Sequence, residues 1–230
     1  MFKSTKTFWN DIKKSQDLII SLVTKNPSKL EALCLRGGFI GDKVAIQIFE
    51  GLKDTNSTLR ILNLFRNNLT NECIKTFSEM LIVNRRLEEI NFGRNYLTDE
   101  SLDLIKENYG LFPMTPEEVE EYNNINKERQ EIIKKNEKLR ASKKPELEVP
   151  YLDEMKEIDG TNYRVKNNSL KIINLIQNKF TGNSFENIKT LLDGNDDLLM
   201  TVDYKLYSEE QRNVFTDVNG KYVNRLYLLK

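Results

Sequence analysis

The feature that most constrains the fold is a repeated spacing of leucine and asparagine residues, clearest in residues 59–81. This stretch reads LRILNLFRNNLTNECIKTFSEML. Its first half follows the spacing L-x-x-L-x-L-x-x-N-x-L, occupied here by Leu59, Leu62, Leu64, Asn67 and Leu69. Its second half has apolar residues at helical spacing. The stretch therefore predicts a short strand followed by a helix, and its recurrence predicts an array of stacked units.

Other copies of the unit align with this one. The copies begin at Leu30, Leu59, Leu87, Leu170 and Leu199, and the last lacks the later asparagine. Neighbouring starts lie 28 or 29 residues apart, except that 83 residues separate Leu87 from Leu170. Three copies also carry an asparagine three residues before the leucine: Asn56, Asn84 and Asn167. The long step predicts an insertion within an otherwise regular array.

These residues resemble the ribonuclease-inhibitor-like class of leucine-rich repeats, in which a strand alternates with a full α-helix. The resemblance covers about residues 18–109 and 167–215. It implies an α/β fold: a leucine-rich-repeat solenoid in a short horseshoe arc, with a parallel sheet on the concave face, helices on the convex face and a helical insertion. Because this class serves many unrelated functions, the resemblance bears on fold more than on activity.

We expect the whole chain, residues 1–230, to form a single leucine-rich-repeat domain. Its parts are an N-terminal helical cap (1–29), repeats one to three (30–109), a charged helical insertion with a hairpin (110–166), repeat four (167–198) and a C-terminal cap (199–230). Caps are needed because a terminal repeat would otherwise expose its apolar face. In the N-terminal cap, Phe8 and Trp9 either pack against the array or form an exposed anchor for a partner. In the C-terminal cap, residues 215–223 suggest a hairpin.

The insertion contains one long polar helix. Thr115, Pro116 and the following glutamates form a helix start, and the helical pattern continues to about Ala141. Three apolar residues are spaced by seven, namely Ile125, Ile132 and Leu139. Two interpretations stay open, a solvated helix packed along one edge of the solenoid and a partner-docking arm. Asp159-Gly160 predicts a tight hairpin turn after it.

Composition excludes several kinds of site. Lys+Arg and Asp+Glu both number 35, so the chain lacks the net charge that nucleic-acid binding or an anionic membrane favours. There is no histidine, which removes the commonest general base and metal ligand. Two cysteines, Cys34 and Cys73, are too few for a disulfide framework or a thiolate zinc cluster. We therefore expect no metal, no cofactor, no enzymatic activity and a cytoplasmic protein.

Alternation along the strands predicts which side chains point away from the core. The first, fourth and sixth positions of each strand point inward, and in the fifth copy these are Leu199, Val202 and Tyr204. The outward residues that we predict to form a binding surface on the concave face are Arg36, Ile61, Asn63, Phe65, Arg66, Asn91, Arg94, Ile172, Asn174, Ile176 and Gln177. Mixed aromatic, aliphatic and arginine side chains are typical of protein-binding surfaces. The alternative is that the insertion or a terminus covers them.

Two further groups of residues have structural explanations. Asn67, Asn95 and Asn178 stand where the strand ends, and we expect their amides to bond backbone groups in the turn. Cys73 aligns with Ser101 and Ser184 and is expected to be a buried packing residue, whereas Cys34 points outward.

These observations predict a non-enzymatic protein-interaction or scaffold module that binds a protein partner through its concave face or its insertion. We expect a monomer or a subunit of a hetero-complex. Small solenoids with a charged helical insertion resemble subunits of cytoskeletal assemblies, including ciliary axonemes. The alternative is a GTPase-activating protein resembling the Ran GTPase activator, although that family has a longer array and an acidic tail. Measuring GTP hydrolysis by small GTPases separates the two.

Overall fold

The computed structural model describes residues 15–21, 23, 30–54, 57–150, 152–217, 220, 222 and 225–229. Residues 15–21 and 23 are helical and are denoted α1. The remaining elements are β1 (Ala32–Cys34), α2 (Asp42–Leu52), β2 (Ile61–Asn63), α3 (Asn71–Val83), β3 (Glu89–Asn91), α4 (Asp99–Lys106), β4 (Leu111–Pro113), α5 (Pro116–Ala141), β5 (Glu154–Ile158), β6 (Thr161–Val165), β7 (Ile172–Asn174), α6 (Ser184–Gly194), β8 (Leu199–Asp203), a 3₁₀ turn (Tyr204–Leu206), α7 (Glu209–Thr216) and β9 (Leu226–Leu229).

The described residues fall into two compact units. The repeat unit is drawn from Met1–Gly110 and Asn167–Lys230, and the insertion unit from Leu111–Lys166. In the repeat unit the strands form one parallel sheet in the order β1-β2-β3-β7-β8-β9. Helices alternate with most of these strands along the chain. A parallel sheet with intervening helices is consistent with a leucine-rich-repeat-like α/β fold.

The sheet register reproduces the repeat alignment across the first four copies. Ala32 lies opposite Ile61, Ile61 opposite Glu89, and Glu89 opposite Ile172. The prediction of an insertion within an otherwise regular array is confirmed, because β3 pairs directly with β7. Tyr109 and Asn167, which flank the insertion, form an isolated parallel bridge. The chain therefore leaves the repeat unit and returns to it at two adjacent positions.

The predicted register of the fifth copy is wrong by two residues. Leu199, rather than Thr201, lies opposite Ile172. The buried side chains are Leu198, Met200 and Val202, whereas Leu199 is half-buried. Burial alternates along β8, with Met200 and Val202 buried and Leu199, Thr201 and Asp203 only partly buried, and this period of two determines which side chains face the core. The L-x-x-L spacing therefore predicted the wrong strand register in this copy.

The chain after β8 also differs from the sequence prediction. Phe215 and Thr216, predicted to begin a hairpin, are the last residues of α7. Ser208 caps this helix in a capping box with Gln211, which fixes its start. Farther along the chain, β9 extends the sheet parallel to β8. In α1, Ile19 and Val23 pack against the core, while Phe8 and Trp9 lie outside the described residues.

Asparagines join successive repeats at the strand exits. The side chain of Asn95 donates to the carbonyls of Leu64 (3.0 Å) and Phe92 (2.8 Å) and accepts from the backbone N–H groups of Asn67 (3.1 Å) and Leu69 (3.2 Å). Asn67 and Asn178 make equivalent bonds one repeat away on either side. The predicted structural role of these three residues is confirmed, and they bond both within a repeat and across to its neighbour.

A second series of asparagines satisfies the backbone before each strand. Asn84 donates to the Leu52 carbonyl (2.7 Å), and Asn167 donates to the carbonyls of Leu81 (2.9 Å) and Asn84 (2.7 Å). Their carbonyl oxygens accept from the N–H groups that lead into β3 and β7. Both residues are buried, which is tolerated because each amide is hydrogen-bonded. Asn56 lies outside the described residues.

A third series of contacts joins aspartate or asparagine side chains to threonines of the next repeat. The leucine pattern did not indicate this series. Asp42 accepts from the N–H and hydroxyl of Thr70 (both 2.8 Å), and Asp99 accepts from the same two groups of Thr181 (2.9 and 2.5 Å). Asn71 accepts from the Thr98 N–H (3.0 Å) and donates its amide N–H to the Thr98 hydroxyl oxygen (2.6 Å). Each threonine stands at or just before a helix start, so these contacts align the helices of adjacent repeats. The available signal was the recurrence of threonine followed by asparagine or aspartate at residues 70–71 and 98–99.

The insertion unit combines a helix with a small antiparallel sheet of order β4-β6-β5. Asp159 and Gly160 have φ angles of 51° and 76°, which confirms the predicted tight turn between β5 and β6. Helix α5 begins with a capping box from Thr115 to Glu118 and ends at Ala141, as predicted. Asn136 then pairs with the backbone of Leu147 in both directions (2.8 and 2.7 Å), so the chain after α5 lies along the helix.

The two cysteines differ in chemical accessibility. Cys73 is fully buried, its Sγ lies 3.3 Å from the Thr70 carbonyl, and burial raises the pKa of its thiol well above the ordinary value. Cys34 is exposed. We expect Ellman's reagent to modify Cys34 rapidly at neutral pH and Cys73 only after denaturation, because the buried thiol is both protonated and inaccessible. Rapid modification of both thiols in the native protein, or a Cys34→Ser variant that still reacts, would contradict this.

Candidate functional site

The predicted binding residues occupy successive rows across the outward face of the repeat unit. A row here means the residues at one repeat position in neighbouring copies. The first row is Ala32, Ile61, Glu89 and Ile172, the second is Cys34, Asn63, Asn91 and Asn174, the third is Arg36, Phe65, Gly93 and Ile176, and the fourth is Gly37, Arg66, Arg94 and Gln177. In the structure, the four rows differ in the residues that they contact and in the grooves that they line.

Ile61 and Ile172 lie at the edge of the sheet where the strands begin. They are 40% and 36% exposed, and they line a shallow groove of about 240 Å³. The groove is bordered by side chains of alternating charge: Glu31, Arg60, Glu88 and Lys171. The Arg60 guanidinium binds the Glu88 carboxylate through two bonds (3.0 and 2.7 Å), and this contact lowers the pKa of Glu88. The leucine pattern did not indicate this charged row, although the alternation of sign at one position was visible.

The asparagine row has a use within the fold. The side-chain oxygens of Asn63, Asn91 and Asn174 accept hydrogen bonds from backbone N–H groups two residues later in the chain, at 3.0, 3.0 and 3.1 Å. These bonds stabilise the backbone as it leaves each strand. The sequence identified these three residues only as outward-facing members of the predicted binding surface and did not indicate this role in the fold. Their part in binding stays a prediction.

Phe65 and Ile176 converge over Gly93. A Cβ atom at Gly93 would lie 2.8 Å from Cδ2 of Phe65 and 3.1 Å from Cγ1 of Ile176. Because Cβ atoms essentially never come within 3.0 Å of another side chain, any larger residue at position 93 would displace the Phe65 ring and crowd Ile176. The Arg36 guanidinium lies over the Phe65 ring, 4.6 Å from its centroid. Half-buried Phe65 and Ile176, buried Gly93 and exposed Arg36 form a group that we call the Phe65 cluster.

Arg66, Arg94 and Gln177 lie in the turns after the strands rather than in the sheet. Their φ angles are 57°, 57° and 54°, a left-handed backbone that Gly37 also adopts in the first repeat (φ 64°). Together they line a groove of about 600 Å³ with two aromatic residues, Phe39 and Tyr96. Both rings are exposed, and both stand two residues after the left-handed position in their repeats. We call this the arginine groove.

Among the described residues, no three aspartate, glutamate or cysteine side chains come together as potential ligands of a metal ion. In that part of the chain, every helix is too short or too polar to cross a lipid bilayer.

Comparison with known proteins gives one informative result. No family model matches the chain, and no curated protein matches it. Among solved structures, leiomodin-1 actin-binding site 2 matches with a TM-score of 0.52 and 13% sequence identity, over 85% of this chain and 82% of that one. At this identity the likeness shows the fold alone. It is consistent with a leucine-rich-repeat-like α/β fold for this chain.

Proposed function

We propose that this chain is a non-enzymatic protein-interaction module that binds a protein partner through the Phe65 cluster. In this proposal the repeats form a short solenoid of the ribonuclease-inhibitor-like class, the outward sheet face is its concave surface, and residues 1–29 and 199–230 cap its ends. The chain acts as a monomer or as one subunit of a hetero-complex.

The convergence of Phe65 and Ile176 over Gly93 is the observation that carries the proposal. An aromatic ring, an aliphatic side chain and a stacked arginine are the residue types enriched at the energetic centres of protein interfaces. Ile61 and Ile172 extend the apolar area along the same strands, at the other end of the sheet face. The fold itself needs no apolar residue in these two rows, since Glu89 occupies the row of Ile61 and Arg36 occupies the row of Phe65.

We further propose a cytoskeletal partner in the cytoplasm. The support is the fold shared with leiomodin-1 actin-binding site 2, together with the resemblance of small solenoids carrying charged insertions to cytoskeletal subunits. Actin filaments are therefore the first partner to test, and microtubules, as the core of cilia, are the second.

The test is co-sedimentation of the purified chain with each filament. We expect the wild type to sediment with one of them, and Phe65→Ala/Ile176→Ala to bind at least about tenfold more weakly, because truncating residues at an interface centre costs about 2 kcal/mol or more. Ile82→Ala/Val214→Ala is the control, since it removes two exposed apolar side chains from helices, away from the Phe65 cluster. Equal losses in both double variants would contradict the proposed surface.

A third variant separates the sheet face from the insertion. Because Tyr109 and Asn167 form a bridge, a short linker can replace residues 111–166. We expect filament binding to persist in this variant. Loss of binding here, with retention in Phe65→Ala/Ile176→Ala, would move the binding surface to α5 and its neighbours. Binding to neither filament would overturn the cytoskeletal proposal, and the GTPase-activating alternative would then be tested by GTP hydrolysis.

A further inference from the structure

Arg66 and Arg94 of the arginine groove occupy a backbone position whose conformation does not require arginine. The N–H groups of Arg66 and Arg94 donate to the carbonyls of Gly93 (2.9 Å) and Ile176 (2.7 Å), which holds both residues in the left-handed conformation. Glycine is the residue best suited to that conformation, and Gly37 occupies it in the first repeat. Two long cationic side chains at such a position therefore require an explanation other than the fold.

The two arginines stand at equivalent positions of neighbouring repeats. Each follows one of two paired parallel strands, β2 and β3, and both line the arginine groove. Within the described ranges, neither guanidinium has a hydrogen-bonding or ionic partner. By contrast, Arg60 and Arg140 each bind a carboxylate through two bonds. Two exposed like charges that line one groove repel each other, and an anion bound between them removes that repulsion.

Aromatic rings border the same groove. Phe39 is 64% exposed and Tyr96 47% exposed, and both line the groove with the arginines. The Lys179 ammonium lies 4.8 Å from the centroid of the Tyr96 ring, which adds a third positive charge beside it. The groove thus offers cations for acidic groups and uncovered rings for apolar ones.

We infer that the arginine groove binds an acidic, extended segment of a protein partner. Arg66 and Arg94 pair with its carboxylates, and Phe39 and Tyr96 cover its apolar side chains. Guanidinium groups suit this role because their planar donors bind carboxylates through two parallel bonds. The inference deepens the proposed function and rests on it only in taking the ligand to be a protein.

The charge distribution favours a short acidic peptide over a nucleic acid. The row of left-handed residues ends at Gln177, whose N–H is bound by the Asp203 carboxylate at 2.6 Å. A polyphosphate chain running along this row would meet that carboxylate after two arginines. The formal net charge of zero also provides no wider field for nucleic acid.

The test uses a fluorescein-labelled synthetic peptide of alternating glutamate and phenylalanine, with binding to the full chain followed by fluorescence polarisation. The comparison probes are the same peptide with glutamine in place of glutamate and a single-stranded oligonucleotide of equal charge. We expect the glutamate peptide to bind most tightly, and its affinity to fall as salt concentration rises.

The diagnostic variant is Arg66→Gly/Arg94→Gly, in which glycine accepts the left-handed backbone. We expect peptide affinity to fall about tenfold or more, because two charge-assisted contacts are lost, while the melting temperature is unchanged or raised. The matched control is Lys75→Ala/Arg86→Ala, which removes two exposed charges elsewhere and should bind the peptide normally. Equal loss in both variants would overturn the inference.

The remaining outcomes separate this inference from the proposed function. Absent binding of the glutamate peptide, equal binding of the glutamine peptide, or tighter binding of the oligonucleotide would each overturn it. Phe65→Ala/Ile176→Ala should retain peptide binding, because neither residue lines the arginine groove. Peptide binding that survives when filament binding fails would support the groove and count against the proposed function.

Discussion

Replacing Asn95 with alanine is expected to destabilise the protein by about 4 kcal/mol. The Asn95 side chain is buried and makes hydrogen bonds to two consecutive repeats. The carbonyls of Leu64 and Phe92 keep a second donor, from Asn67 and Asn178 respectively. The N–H groups of Asn67 and Leu69 lose the partner that Asn95 supplies, and buried unpaired donors cost about 1–3 kcal/mol each.

The measurement is urea unfolding followed by circular dichroism, with the wild type and Asn95→Ala compared at equal protein concentration. Asn68→Ala is the matched control, because Asn68 is an exposed asparagine in the equivalent loop of the preceding repeat. We expect that control to change the free energy of unfolding by no more than about 0.5 kcal/mol. A loss below about 1 kcal/mol in Asn95→Ala would show that water or a backbone shift replaces the bonds, contradicting a structural role for this series.

The asparagine series explains why so much of the fold was predictable from sequence. An amide that joins two repeats must stand at the same position in each, so Asn67, Asn95 and Asn178 repeat with the leucines around them. The same register that aligns these residues aligns the strands, and β3 could be paired with β7 across the insertion. Sequence spacing predicts structure well wherever each copy makes the same contact with its neighbour.

The sequence predictions were wrong at two places where the local sequence was compatible with more than one structure. Around Leu199, three consecutive apolar residues fit more than one register, and the register differs from the L-x-x-L prediction by two residues. At residues 215–216, turn-forming residues farther along suggested a hairpin, but the capping box at Ser208 begins a helix that includes both. The repeat spacing offered no information about either feature.

The candidate site was only partly predictable for a related reason. Alternation along the strands identifies outward positions, so the surroundings of Phe65 could be anticipated. It says nothing about residues in the left-handed turn, and Arg66 and Arg94 were therefore assigned to the sheet face. Alternation also does not indicate that the side chains of Phe65 and Ile176 pack over Gly93. That arrangement depends on side-chain packing across three repeats.

Replacing Phe77 with alanine is expected to be comparably damaging, with a loss of about 4 kcal/mol in the free energy of unfolding. Phe77 is fully buried between Phe49 and Phe92, and its ring centroid lies 5.3 Å and 5.1 Å from theirs. These rings come from α2, α3 and the chain just after β3, so the cluster joins three repeats. Alanine leaves a cavity that the regular stacking of the repeats cannot close.

Chemical unfolding of Phe77→Ala, Phe77→Leu and Ile82→Ala tests this explanation. The leucine variant should recover most of the loss by filling the cavity, whereas Ile82→Ala removes a 47% exposed side chain from the same helix and should cost little. A double variant with Phe49→Ala should lose less than the sum of the two single variants, because the rings contact each other. Strict additivity, or equal stability of the alanine and leucine variants, would show that the aromatic cluster does not couple these repeats.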